Sequence, residues 1–422
     1  MLDIKFIREN SDLIKTACEN KRVDVDIDGL LKLDAKRKIF LQEIDKLRKT
    51  RNEIAEQIKM DFSKKDELIE KGKNIKEEIL KIEKESEEIE KEFNKLMYLI
   101  PNIPLSDVKI GRGEEDNEIL RHEGIISQFD FKPQSYVELA EKLDLIDTKR
   151  AAKISGSRFG YLKNEAALLE FALLQFVSQN LIKENFIPII PPVMIKRQPM
   201  AAMGYLIRGE EEIYYLPKDE LYLVGTSEQS IGPMHCDEIF EEKNLPKRYL
   251  GFSSCFRREA GSYGKDTKGI LRVHQFDKLE MFSFCRPEDS EKEHQFLLSM
   301  EEKLIQLLEI PYRVIKMCTG DLGDSAAKKF DLEAWLPGQN EFREITSTSN
   351  CTDFQARRLN IRYRNKNNQS NFVHTLNGTA FAIGRIIIAI LENYQQADGS
   401  IKIPNALRPY MNNKEFIEAK KH

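Results

Sequence analysis

Residues 256–282 read FRREAGSYGKDTKGILRVHQFDKLEMF, and the way this stretch folds decides the architecture of everything around it. Two runs suited to strands flank a glycine-containing loop. A hairpin of that kind places Arg257 and Glu259 near one end and Phe276 and Glu280 on the return strand.

That juxtaposition has a chemical meaning. A guanidinium fixed beside a phosphate, an acid reading an exocyclic amine and a flat ring against a base together make an ATP site. Arginine suits the first role because its planar fork holds a carboxylate and a phosphate oxygen at once, which the point charge of lysine cannot do. A surface hairpin with incidental ion pairs would account for any one of these residues, but poorly for the whole string.

At 422 residues the chain exceeds one typical domain, so two units with separate cores are expected. The N-terminal grammar supports this. From Leu30 to Leu96 the sequence is rich in Lys and Glu, and its apolar positions step alternately by three and four: Leu30, Leu33, Arg37, Phe40, Ile44, Leu47, Arg51, Ile54 and Ile58, then Leu68, Gly72, Ile75, Ile79, Ile82, Ser86, Ile89, Phe93 and Leu96. Between the two stripes MDFSKKDE breaks the phase, with Ser63 expected as an N-cap and Asp66 and Glu67 at the positive end of the second helix. The expectation is an antiparallel helical hairpin over about 30–97, with arms of roughly 45–50 Å.

The two arms differ in charge. Residues 30–60 hold nine Lys/Arg against five Asp/Glu, whereas 66–97 hold seven Lys against eleven Asp/Glu. The first helix could therefore face phosphate, although solvated coiled-coil flanks carry such charges too. The whole chain, with formal net charge −4, is no polycation, so a nucleic-acid partner has to be met by a local basic face.

Prolines and then glycines and acids in LIPNIPLSDVKIGRGEEDNE end the hairpin. The expected division is 1–100 for the N-terminal domain, 101–125 for a linker and 126–422 for a catalytic domain. Beyond 125 the grammar is mixed. NEAALLEFALLQFVSQNLIKEN reads as an amphipathic helix, and FIPIIPPVM as an extended run whose prolines fit an edge or interface. ELYLVG, KRYLGFSSCFR, QFDKLEMFSFC, YRVIKMC, KKFDLEAWLP and EFREITSTSN read as strands, with TAFAIGRIIIAILENY as a closing helix. The fold class is α+β: a helical hairpin followed by helices packed on a largely antiparallel sheet.

Other classes recede. The six cysteines stand singly, without CxxC pairs or histidine spacings of a zinc site, and read as reduced packing residues of a cytoplasmic protein. The longest apolar run near the C-terminus, FAIGRIIIAIL, is too short to cross a bilayer, so no membrane partner is expected.

The hairpin string resembles motif 2 of the class II aminoacyl-tRNA synthetases, and specifically of the seryl-tRNA synthetases. The resemblance spans nearly the whole chain through MLDIKFIREN, IPNIP, SGSRF at 155–159, GTSE at 225–228, TGDLGDSAAKKFDLEAWLP at 319–337, EITSTSNCTDFQARR at 344–358 and LNGTAFAIGR at 376–385. It implies a class II catalytic domain built on an antiparallel sheet, ATP-dependent activation of L-serine to seryl-adenylate, and transfer of serine to tRNA(Ser), with use of tRNA(Sec) left open.

The resemblance also implies roles. Thr226 and Glu228 would hold the α-amino group, with Ser227 between them also in the serine site, Arg257 the carboxylate and α-phosphate, and Glu280 with Thr379 the serine hydroxyl. Glu259, Val273 and Phe276 would take adenine, Arg258 would stand close to the phosphates, Arg385 would take the γ-phosphate, and Glu344 with Ser347 would bind Mg2+, with Ile345 and Thr346 between them. The carboxylate attacks the α-phosphate directly, so positioning and charge neutralisation carry the step and no tuned histidine is required. The hairpin would grip the long arm of the tRNA, with Lys36, Arg37, Lys46, Arg48 and Lys49 expected among its phosphate contacts, and IIPPVM sits where the family has its homodimer motif.

Three features depart from the common pattern: Arg258 where a small residue is usual, Ala380 where glycine is frequent, and the stretch 201–220. Two rivals remain in view. A relative that loads an amino acid onto a carrier protein would lack the long arm that this chain has. A silent RNA-binding paralogue would show erosion at Arg257, Glu280, Glu344 or Arg385, all of which are present.

Overall fold

The structure is a computed structural model and describes residues 2–60, 64–206, 208–261, 264, 266 and 268–418. The chain divides into two compact units, Met1–Pro101 and Asn102–His422.

In the first unit, α1 (Ile4–Glu9) and α2 (Ser11–Asn20) precede two long helices, α3 (Ile27–Met60) and α4 (Lys65–Leu99), which pair with each other. At 34 and 35 residues these helices are each about 50 Å long. The seam buries Leu30, Ile44 and Ile54 against Ile79, Ile82 and Phe93, all positions of the three-and-four stripe. A polar group closes it at the first of the stripe's arginines: Arg37 pairs with Glu90 and lies 5.0 Å over the Phe93 ring. The expected cap Ser63 lies outside the described residues; Asp66 and Glu67 do fall in the first turn of α4.

The second unit is built on an eight-stranded sheet. Its strands are β1 (Glu118–Glu123), β2 (Ile187–Ile189), β3 (Lys247–Phe256), β4 (Gln275–Cys285), β5 (Tyr312–Lys316), β6 (Lys328–Leu336), β7 (Glu341–Asn350) and β8 (His374–Ala382), in the order β1-β5-β6-β7-β8-β4-β3-β2. Every pair is antiparallel except β2 on β3, where the proline-bearing run IPI forms the short edge. β1 lies within 101–125, the stretch expected as a linker, because Glu118–Glu123 completes the opposite edge beside β5.

Helices α5 (Tyr136–Lys142), α6 (Asn164–Ile182), α7 (Ser290–Leu307) and α8 (Ile383–Asn393) share one apolar core with the sheet, built from residues such as Leu169, Phe176, Leu279, Leu304, Leu332, Phe381 and Ile387. The closing helix begins later than its sequence suggests. TAFA belongs to β8, and α8 starts only at Ile383.

Candidate active site

The sheet's central strands carry the site. β3 and β4 form the hairpin of the opening stretch, in which Phe276 faces Cys255 and Glu280 faces Gly251. On its other side β4 pairs with β8 through a register shift between Leu279 and Glu280, which sets Glu280 directly opposite Thr379. A cavity of about 450 Å³ opens over these strands, within the usual range for small-molecule sites. Thr226, Glu228, Arg257, Glu259, Val273 and Phe276 line it, as do Glu280, Glu344, Ile345, Thr346, Ser347, Thr379 and Arg385.

At the floor, Glu280 is 1 % exposed. One carboxylate oxygen, Oε2, receives the Thr379 hydroxyl at 3.2 Å and the Lys278 ammonium at 2.5 Å. Lys278 is absent from the sequence-level set, yet period-two alternation puts residues 278 and 280 on one face of β4. Such a buried ion pair, closed by one hydroxyl, can recognise a small polar group and little else.

Glu228 stands at the start of a short helix, Glu228–Ile231, and accepts the Tyr205 hydroxyl at 3.0 Å and the Gln355 amide at 3.1 Å. Burial, then the charge of Glu280, pushes its carboxyl up to about 7, against the pull of Lys278. The turn before it is braced by Gln229, whose Oε1 accepts the Gly225 amide at 2.7 Å. Gly225 in turn offers its carbonyl to Arg257 Nε at 3.2 Å, so the guanidinium is held between this turn and the Phe276 ring, 5.3 Å from its centroid.

Glu259 is locked on the loop by Arg272 at 2.9 Å. Across the cavity Arg385 Nη1 pairs with Glu344 Oε1 at 3.1 Å and donates to the Glu344 carbonyl at 3.0 Å. Burial alone would raise the Glu344 carboxyl, but Arg385, Lys329 and Arg257 outweigh it and hold it down at about 2. Beneath, Thr346 turns its hydroxyl onto the buried Glu301 at 2.8 Å.

Two expected contacts do not face the cavity. The Ser227 side chain is fully buried with its hydroxyl 3.5 Å from the Gly251 carbonyl, and Arg258 leans over the Tyr214 ring at 6.0 Å. Ala380 is buried in the apolar core, where a methyl fits without touching the site.

The donor set suits magnesium: the ionised Glu344 carboxylate and the Ser347 hydroxyl are hard oxygen ligands, with Asp331 opposite Ser347 across β6 and β7. Among the described residues no group of three or more His, Cys, Asp or Glu side chains is placed to hold a metal alone. An ion here would need substrate phosphates or waters to complete its shell.

In the first unit, Lys36, Lys46, Arg48 and Lys49 are exposed, while Arg37 is half-buried in the seam. Arg48 reaches across the hairpin to Glu83 at 2.9 Å.

Comparison with known proteins gives a consistent result. Residues 1–104 match the seryl-tRNA synthetase N-terminal domain, and 214–394 match the tRNA synthetase class II core domain (G, H, P, S and T). The chain is 47% identical over 416 residues to the serine–tRNA ligase of Dictyoglomus turgidum, covering 97% of this chain and 98% of that one. It is 44% identical to the serine–tRNA ligase of Nitrosopumilus maritimus, over 99% of this chain and 100% of the relative. Among solved structures, seryl-tRNA synthetase from Pyrococcus horikoshii complexed with ATP superposes with TM-score 0.92 at 42% identity, covering 100% of both chains.

Proposed function

The chain belongs to the seryl-tRNA synthetase family, and on that premise we propose how its cavity performs the family's reaction. The protein is a serine–tRNA ligase: it activates L-serine with ATP, releasing pyrophosphate, and transfers the seryl group to the terminal adenosine of tRNA(Ser).

In this reading Thr226 and Glu228 receive the substrate ammonium. Arg257 spans the serine carboxylate and the α-phosphate, bringing nucleophile and electrophile together and neutralising charge as the pentacoordinate phosphorus forms. Glu280 and Thr379 take the serine hydroxyl, with Lys278 keeping the acid in place. Phe276 stacks on adenine, Val273 packs beside it and Glu259 reads its amine, while Arg385 draws the γ-phosphate away from the α-phosphorus. Mg2+, when bound through Glu344 and Ser347, would supply charge neutralisation of the departing pyrophosphate oxygens. No protein nucleophile takes part, because the substrate's own carboxylate attacks.

The first unit is the tRNA-binding domain in this account, with the exposed lysines of α3 meeting the phosphates of the long variable arm. A homodimer is supported by apolar side chains left open on α6 and along the end of the β2 run: Phe171 is 63% exposed and Ile190, just after β2, 84%, and Leu168, Ile182 and Ile187 are exposed as well. Among the described residues no helix is long and apolar enough to cross a membrane, and five of the six cysteines are buried, with no disulfide between them, which fits a cytoplasmic setting.

The observation that carries the reading is the Glu280–Thr379–Lys278 cluster on the floor of the same cavity that Arg257 and Arg385 enter. Charging of a tRNA(Ser) transcript with labelled serine tests it. Esterified serine should appear only with ATP present and should fall sharply when the long variable arm is deleted; charging that ignored the arm would contradict the assignment of the first unit.

A further inference from the structure

The loop between β3 and β4 carries Arg258 and Glu259, and two side chains from distant parts of the chain hold its shoulders. At the first shoulder stands Glu212, in the turn Glu210–Glu212. Its carboxylate accepts the amides of Ala260 at 3.1 Å and Gly261 at 2.7 Å, and its main-chain carbonyl accepts the Arg258 amide at 2.8 Å. At the second shoulder stands Tyr136, buried at the start of α5. Its hydroxyl accepts the amides of Ile270 at 3.0 Å and Leu271 at 3.3 Å and donates to the Lys268 carbonyl at 3.1 Å.

The fit at that hydroxyl is close. Gly269 sits at φ +76°, and a Cβ added there would come within 2.0 Å of it, so only glycine passes. Tyr136 is itself fixed, its amide donating to Glu392 at 3.0 Å.

Within the first shoulder, flanked by the anchored amides of Arg258 and Ala260, Glu259 lies at φ +53°, a left-handed conformation that a non-glycine residue keeps only where its surroundings over-determine it. Arg272 restrains its carboxylate, but the backbone angle has to be imposed by the segments on either side. Residues 270–273, which begin with the two amides that Tyr136 holds, line the cavity together with Glu259, and Arg272 joins them to it.

We propose that Glu212 and Tyr136 are positioning residues for the nucleotide: they set the β3–β4 loop so that Glu259 and Val273 meet the adenine, and neither touches the substrates. This rests on the assignment of ATP to the cavity. It also gives a role to the stretch 201–220, which departs from the common pattern and supplies one of the two anchors. Serine recognition should be nearly indifferent to both anchors, because Glu228, Glu280 and Thr379 stand outside the anchored residues and Arg257 is held separately, by the Gly225 carbonyl and the Phe276 ring.

The test is ATP–pyrophosphate exchange with the full chain, varying ATP at saturating serine and serine at saturating ATP, for Glu212→Ala, Glu212→Gln, Tyr136→Phe and Arg257→Ala. Glu212→Ala and Tyr136→Phe should each raise KM for ATP about five- to tenfold, the size expected for lost hydrogen bonds to two amides, with KM for serine within about twofold of the parent. Glu212→Gln, which keeps a neutral acceptor, should fall between. Thermal unfolding run alongside separates loss of folded protein, which lowers the maximal rate, from a changed KM. An unaltered KM for ATP in folded Tyr136→Phe and Glu212→Gln overturns the proposal, as does an equal rise in both KM values. Arg257→Ala tells the two readings apart: undiminished exchange there sinks the ATP site itself, whereas loss there with normal anchors' variants sinks only the positioning role.

Discussion

Lys278 Nζ lies 2.5 Å from Glu280 Oε2 on one face of β4, and both side chains are almost wholly out of solvent. Breaking such a pair leaves a charge buried without its partner, at a cost of about 3–5 kcal/mol, whereas replacing both members by apolar groups costs far less. Lys278→Met should therefore lower stability strongly, and adding Glu280→Leu should recover part of the loss. Urea unfolding of the two single variants and the double variant measures this; a double variant no more stable than Lys278→Met would mean that the pair is not coupled as the geometry shows.

The hydroxyl pocket sets an asymmetric selectivity. Alanine leaves the Glu280–Thr379 pair without the group it is built to bind, so discrimination against it should reach about 10³-fold or more, while threonine adds only a methyl worth about 1–3 kcal/mol. Side-by-side exchange with the two amino acids gives both ratios. Threonine rejected more strongly than alanine would point to a pocket closed by shape rather than by hydrogen bonding.

The pH dependence of serine binding follows from Glu228. Its carboxyl titrates near 7, raised first by burial and then by Glu280, and only the ionised form attracts the substrate ammonium. As pH falls from 8 to 6 the free enzyme loses that charge, and KM for serine should rise by up to about tenfold while KM for ATP stays level. Glu228→Gln should show a high KM for serine that no longer varies with pH.

Acid stability has a separate source. His294 on α7 is fully buried, its Nε2 hydrogen-bonded to the Thr348 carbonyl at 3.3 Å, with Glu291, Lys328 and Asp107 the charges around it. Burial lowers it from the usual 6.5 to about 4, so its neutral form contributes fully above 6.5 and that contribution is lost as pH falls to about 4. The loss is about 3 kcal/mol. Unfolding midpoints measured across pH 7 to 4 should fall more steeply in the parent than in His294→Leu, whatever the variant's absolute midpoint; parallel curves would count against the buried histidine.

On the hairpin the five expected basic residues differ in kind: Arg37 and Arg48 pair across it with Glu90 and Glu83, whereas the three lysines are exposed. Arg37, half-buried over Phe93, should when changed to Ala lower the hairpin's stability through lost packing. Lys36, Lys46 and Lys49 changed together to Gln should leave folding intact, weaken tRNA(Ser) binding and reduce the slope of log affinity against log salt by roughly two to three. Filter binding at several salt concentrations reads both numbers.

What the sequence disclosed and what it withheld have physical causes. The heptad stripes and the β3–β4 hairpin are local patterns, and both formed where expected. TAFAIGRIIIAIL misled because a continuous apolar run has the same appearance in a buried strand and a buried helix, so the boundary at Ile383 was decided by pairing of β8 with β4 and β7. β1 escaped notice for a related reason: EILRHE is a polar edge strand whose partner β5 lies nearly two hundred residues away. In the site, Lys278 was readable from its spacing to Glu280. Tyr205 and Gln355, which hold Glu228, and Tyr136 and Glu212, which hold the loop, were not, because each meets its partner only through tertiary packing.

The central claim is that Glu280, at the floor of an ATP-accepting cavity, selects serine. Serine-dependent ATP–pyrophosphate exchange, compared between the parent protein and Glu280→Ala, tests it most directly. The account predicts rapid exchange with serine in the parent and a fall of at least a hundredfold in the variant, from the loss of a charged hydrogen bond in a buried site. Exchange with serine that survives in folded Glu280→Ala at near the parental rate would contradict it.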